Sequence, residues 1–199
     1  MSDVAGILLA AGSSRRFGSD KLLHSLPDGT PLGVAAARTV IKALPVSYAV
    51  VRPGDRALIE AYSDLGLKIV ENPLADQGMG TSLAAGVRVS TGAGGWLIAL
   101  ADMPWVRAAT VTALVDRLHK GASIVAPVYG GRRGHPVGFS ADWGDDLKAL
   151  SGDQGARGVI AGNADKIELL SVDDAGVLED IDILEDIEAP EKLVENPHR

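Results

Sequence analysis

Residues 8–21 read LLAAGSSRRFGSDK, an apolar run giving way to small residues and then to Arg15, Arg16 and Lys21, with Asp20 the one acid among them. Gly12 lets the backbone turn tightly, and the small side chains of Ala10, Ala11, Ser13 and Ser14 let main-chain N–H groups come close to a ligand. Cations gathered around such a turn suit a polyphosphate, although a solvated basic turn has the same composition. The loop is not a P-loop, because Ser19 and Asp20 separate Gly18 from Lys21, and Gly-x-Gly-x-x-Gly is absent.

Other groups able to do chemistry follow apolar runs in the same way. LIALADMP (97–104) puts Asp102 at the end of a buried strand, where Pro104 stops further pairing. A carboxylate there either caps the next helix or helps hold Mg²⁺, which takes one or two carboxylates plus substrate phosphates. NPLADQGMGTSLAAGV (72–87) joins a glycine turn at Gly78 and Gly80 to a helix start, with Ser82 as a ligand contact or an N-cap. In GGRRGHPVGF (130–139), His135 is fixed between Gly134 and Pro136, and Arg132 or Arg133 is placed to meet a phosphate. SGDQGARGVI (151–160) adds Asp153 and Arg157, which an ordinary capped helix also explains. The acidic run VLEDIDILEDIE (177–188) reads as a solvated face unless one of its carboxylates is turned inward.

These groups need a scaffold, and hydropathy patterning supplies one. Apolar runs at 5–10, 47–52, 67–71, 96–101 and 122–127 read as strands, and segments with helical periodicity separate them, several ending at or near glycine. Strand and helix in alternation predict an α/β fold with a mostly parallel sheet flanked by helices on both faces. Later the pattern loosens: HPVGF and KIELLSV read as further strands, DDLKAL and GARGVIAG as short helices. With no linker and no fixed-period repeat, residues 1–199 read as one domain. Ligands bind beyond the carboxyl ends of strands in such sheets, which is where the candidate residues fall.

Composition removes several classes. The net charge of −7 and the scarcity of aromatic residues provide neither a basic face nor stacking platforms for nucleic acid. Hydrophobic residues are scattered and not gathered into a spanning run, and the amino-terminal stretch carries an acid where a secretory signal is basic, so no membrane association is expected. The absence of cysteine excludes thiolate metal sites and a cysteine nucleophile and fits a reducing cytoplasm, the expected location.

The segment LLAAGSSRRFGSDKLL resembles the signature of nucleotidyltransferases with the molybdopterin-guanine-dinucleotide-synthase-like fold, most closely their molybdenum cofactor cytidylyltransferase branch. NPLADQGMGTSLAAGV, LADMPWV, GRRGHPVGF and GDQGARGVI follow in that family's order, so the likeness spans roughly residues 4–186. It implies a Rossmann-like domain, nucleotide-binding in its amino-terminal part and acceptor-binding in its carboxyl-terminal part. By the same resemblance, Leu9, Ala10, Ala11, Gly12 and Ser13 wrap a nucleoside triphosphate whose phosphates meet Arg16 and Lys21. Gly80 and Ser82 complete the nucleotide site, and the GMGTSL form implies cytosine. Asp102 is implied as a ligand of Mg²⁺ and, with Arg16 and Lys21, as catalytic. Asp182 is the implied second ligand, but Ile183 and Leu184 stand where the family has Thr-Pro, which leaves Asp180 and Asp186 as rivals.

Arg133, Gly134, His135, Pro136 and Asp153 are the implied acceptor site. The activity implied is transfer of CMP from CTP to the phosphate of molybdenum-bearing molybdopterin, releasing pyrophosphate, with a molybdenum-containing oxidoreductase as recipient of the product. A GTP-dependent enzyme, one acting on a sugar or alditol phosphate, and a non-catalytic cofactor carrier are the alternatives.

Overall fold

Six consecutive apolar residues form the first strand, β1 (Val4–Leu9), buried along its whole length. A strand without a polar face has to be covered on both sides. The computed structural model, which describes residues 3–12 and 21–182, shows how. After β1 come α1 (Leu32–Ala43), β2 (Ser47–Val51), α2 (Arg56–Asp64), β3 (Lys68–Glu71), α3 (Met79–Val89), β4 (Gly95–Leu100) and α4 (Ala108–His119). The second half contributes β5 (Ile124–Tyr129), β6 (Arg132–Arg133), β7 (Val137–Ser140), α5 (Gly144–Lys148), α6 (Arg157–Gly162) and β8 (Ile167–Ser171). Alternation along β1 sends Leu8 and the following Ala10 toward Leu32, Ala36 and Val40 of α1. Ile7 and Leu9 pack on the other face against Leu83 and Val87 of α3.

The strands join in the order β3-β2-β1-β4-β7-β5-β6, with β8 paired to β5. β2 and β4 both run parallel to β1, one on each side. Successive connections therefore leave the centre of the sheet in opposite directions, which opens a crevice beyond the carboxyl ends of these strands. No helix among the described residues is long and apolar enough to cross a membrane.

The sheet is mostly parallel, as the alternation of strands and helices predicts, but β7 runs antiparallel between β4 and β5. The chain reverses at Gly130-Gly131, both with positive φ, in a two-residue hairpin between Tyr129 and Arg132. Paired glycines meet the left-handed backbone that this turn requires. The strand reading above passes over that signal and so omits β6.

The segment after β8 is fixed by a buried carboxylate, Asp174. Its Oδ2 accepts hydrogen bonds from the Arg107 N–H at 2.9 Å and the Thr110 hydroxyl at 2.6 Å, so it caps α4 from a distant part of the chain. Gly176 then lies so close to Trp105 that a Cβ would fall 2.4 Å from its carbonyl carbon. The Val177 carbonyl accepts from His135 N–H at 2.8 Å, and the N–H of the fully buried Ile181 donates to the Asp102 carbonyl at 3.0 Å. Asp174→Ala should lower stability by about 1.5–3 kcal/mol, because it strands two donors of which one is buried. Asp174→Asn, which retains capping ability, should lose less. Denaturant unfolding midpoints of the two variants check this.

Candidate active site

A cleft of about 420 Å³ occupies the crevice beyond β2, β1 and β4. Leu9, Ala10, Ala11, Gly12, Lys21, Ser82, Asp102 and Asp153 line it, bringing together residues chosen from four separate segments of sequence. Lys21 begins a 3-10 turn, Lys21–Leu23, whose Leu22 is anchored in the α1 side of the core. The lysine is accordingly buried at 9 % exposure and does not sit on an open surface loop. Its Nζ donates to Asp102 Oδ2 at 2.9 Å and lies 3.7 Å from Asp182 Oδ1. Burial of this ammonium is tolerable because carboxylates compensate it.

Asp102 is not a helix cap. α4 begins further on, at Ala108, and Asp174 supplies its cap. Asp182 reaches the same ammonium because Ile181 is pinned to the Asp102 carbonyl. Asp180 stands beside both. Loss of hydration and the negative charges of Asp102 and Asp182 hold its carboxyl above the ordinary aspartate range. Ser13, Arg16 and Asp186 lie outside the described residues.

The far wall of the cleft comes from the turn before α3. Gly78 has φ of 109°, and a Cβ there would meet the Gly152 carbonyl carbon at 2.3 Å, so both conformation and space demand glycine. Gly78, not Ser82, holds the N-cap position of α3. Gly80 does not line the cleft; its N–H donates to the Gly152 carbonyl at 2.8 Å, joining α3 to the 151–153 loop. Ser82 is oriented by Asn72, whose buried side-chain amide donates to the hydroxyls of both Thr81 and Ser82 at 3.0 Å. Asn72 was missed in the sequence; a polar residue directly after a strand and before proline is the signal that marks it. Arg52 and Asp76, which also line the cleft, were missed as well.

A second cavity of about 140 Å³ adjoins the first, sharing Leu9, Met79, Leu100 and Asp153 with it. Arg133, His135 and Arg157 line this cavity, whereas Arg132 does not. Asp153 caps no helix, since α6 starts at Arg157 after Ala156. Gly134 is pressed against the Val177 carbonyl, and Pro136, joined to His135 by a cis peptide bond, faces a small gap beside α1. The His135 Nδ1 is buried without a hydrogen-bond partner among the described residues. Burial foremost, then the cations Arg133 and Arg157, lower the pKa of His135 to about 4 against a smaller opposing pull from Asp102.

A mostly parallel sheet open at its central strand ends, a lysine-bridged pair of aspartates and two adjoining cavities make a site of the kind a nucleotidyltransferase needs. The chain belongs to the MobA-like NTP transferase domain family, whose model matches residues 6–168. It is 30% identical to the purine catabolism protein PucB of Bacillus subtilis, covering 91% of this chain and 92% of that one. It is 29% identical to the nicotine blue oxidoreductase of Paenarthrobacter nicotinovorans, covering 92% and 93%. Among solved structures, Rv0371c of Mycobacterium tuberculosis superposes with a TM-score of 0.80 at 27% identity, over 98% of this chain and all of that one. A complex of Rv0371c with manganese gives 0.79 at 26% identity, over 98% and 100%.

The depressed pKa of His135 fixes the direction of its pH dependence. Above 6.5 the imidazole is neutral in both folded and unfolded chains and contributes nothing. As pH falls from 6.5 to about 4 only the unfolded chain takes up the proton, so stability declines across that window. The NMR resonances of the His135 ring should therefore stay flat through 6.5 and titrate near 4. His135→Gln should reduce the loss of thermal midpoint over the same interval.

Proposed function

We propose that this chain transfers a cytidylyl group from CTP to the terminal phosphate of molybdopterin carrying molybdenum. The observation that carries the reading is the convergence of Asp102 and Asp182 on Lys21 where the larger cleft adjoins a cavity lined by Arg133 and Arg157. An oxygen of the acceptor phosphate attacks the α-phosphorus of CTP. The bond from that phosphorus to the bridging oxygen breaks, and pyrophosphate leaves with the electron pair. The acceptor phosphate is already ionised near neutral pH, so no side chain has to be activated as nucleophile. Placement and charge neutralisation supply the catalysis.

In this scheme Lys21, with Arg16, offsets charge on the leaving pyrophosphate. Leu9, Ala10, Ala11, Gly12, Ser13 and Ser82 hold the nucleotide, and Gly80 supports the cleft wall from behind by joining α3 to the 151–153 loop. Arg133 and Arg157 hold the acceptor phosphate, and Gly134, His135, Pro136 and Asp153 shape the acceptor site. His135, neutral at physiological pH, donates or accepts a hydrogen bond and carries no charge. The donor set suits a hard divalent cation: carboxylates of Asp102 and Asp182 lie 2.9 and 3.7 Å from one cationic centre, the Lys21 ammonium. Mg²⁺ held there would neutralise phosphate charge, and the manganese complex of Rv0371c supports a divalent ion in this role. LAAG at 9–12 and GMGTSL at 78–83 support cytosine as the base. Transfer of the product to a molybdenum-containing oxidoreductase in the cytoplasm completes the proposal. An oxidoreductase activity for the chain itself, raised by one relative's name, is not supported by its loops: Gly-x-Gly-x-x-Gly is absent.

Pyrophosphate release should require Mg²⁺, CTP and the pterin acceptor together, and should be far slower with GTP. Asp102→Asn keeps shape and an oxygen that accepts from Lys21 but loses charge, so turnover should fall roughly 10²- to 10³-fold in a protein that still folds, with a thermal midpoint lowered by the weaker pairing to Lys21. An Asp102→Asn protein with unimpaired turnover would remove the metal role from Asp102, whereas a wild-type chain that releases no pyrophosphate would return the chain to the carrier hypothesis.

A further inference from the structure

Lys21 and Asp102 stand at one end of the larger cleft, and a second ion pair stands at the other. Arg52 directly follows β2 and Asp102 follows β4, with β1 between them. Adjacent strands lie about 4.8 Å apart, so the two residues are separated by about 10 Å across the strand ends. That is the span from the 5′ phosphate of a nucleotide to the far edge of its base. At this end Arg52 Nη1 donates to Asp76 Oδ1 at 2.8 Å, and both residues line the cleft. Asp76 stands on the 3-10 turn Ala75–Gln77, two residues before Gly78 with its φ of 109°.

The pair has little to do with holding the fold. The Asp76 side chain is 71% exposed, and exposed ion pairs contribute little to stability. The arginine is also incompletely satisfied, since its Nε is buried with no hydrogen-bond partner among the described residues. Keeping such a group in a cleft wall is a cost without structural return, and a polar ligand edge would give it one.

The chemistry of the pair selects the edge. A carboxylate offers only acceptors and a guanidinium only donors, side by side. Cytosine presents the reverse order, an N4 amino donor beside the N3 and O2 acceptors. Uracil opposes it at two positions, turning the O4 acceptor toward the carboxylate and the N3–H donor toward the guanidinium. Aspartate accepting from cytosine N4 is an established pairing in base recognition. We propose that Arg52 and Asp76 read the base edge of the donor nucleotide and set the preference for CTP over UTP. This assignment rests on the cytidylyl reading above.

Equilibrium binding of CTP, UTP, dCTP and GTP to the full-length chain with Mg²⁺, without acceptor, tests it. The wild-type chain should bind CTP and dCTP with a constant ratio and should reject UTP by 10-fold or more, because a mismatched edge leaves polar groups unpaired. Asp76→Asn can donate to uracil O4, and should shrink the CTP-to-UTP ratio by about 10-fold while leaving the CTP-to-dCTP ratio unchanged. Asp76→Ala should shrink it by loss of CTP binding alone. Ratios measured on one preparation do not depend on the fraction folded. A CTP-to-UTP ratio that survives both substitutions overturns the pair as base reader, and so does a changed CTP-to-dCTP ratio, which would put Asp76 on the ribose. A wild-type chain that prefers GTP overturns the cytidylyl reading itself and the assignment with it.

Discussion

Two carboxylates held on one buried ammonium are the constraint around which the chain is arranged. Asp102 and Asp182 repel each other and Asp180 adds a further acid, whose pKa is raised by burial first and by the two neighbouring carboxylates second. Lys21 offsets part of that repulsion and in return acquires the partners that let an amine be buried. Each element nearby serves this balance. β4 delivers Asp102 at its end, the core-anchored turn at Leu22 delivers Lys21, and the main-chain bond from Ile181 brings Asp182 to the same place.

The segment from Asp174 to Asp182 does the long-range work. It crosses from the start of α4, past Trp105 and His135, to Asp102, held by the buried Asp174 side chain, by close packing of Gly176 on Trp105, and by main-chain hydrogen bonds at His135 and Asp102. Close packing at Gly134 and Gly176 leaves no room for a side chain at either point. One short segment thus contacts both cavities, at His135 through Val177 and at Asp102 through Ile181.

The regular elements were legible because a wholly buried strand must be an apolar run and a half-buried helix must repeat near 3.6 residues, as the stretches at β1 and α4 do. The ends of those strands, and so Gly12, Lys21 and Asp102 at the cleft, could be read off with them. What could not be read depends on contacts between residues remote in sequence. Nothing near Asp174 announces that it caps a helix begun more than sixty residues earlier, as its bond to Arg107 shows. Nothing in the sequence singles out Arg52 and Asp76, because their pairing exists only once β2 and the turn before α3 are adjacent. Ser82 carried a misleading local signal, a small hydroxyl near a helix start, whereas its actual partner is Asn72. The Gly130-Gly131 reversal was readable, and missing it cost the direction of β7.

The wall shared by the two cavities, Leu9, Met79, Leu100 and Asp153, has a kinetic meaning. A molecule made by linking an occupant of one cavity to an occupant of the other engages both at once, and its two halves are each held at high effective concentration by the other. Such a linked molecule dissociates more slowly than either fragment alone. On the proposed assignment of donor and acceptor to the two cavities, the catalyst would hold its own product between turnovers, and its cycle would run at the pace of an outgoing hand-over and not at that of bond making.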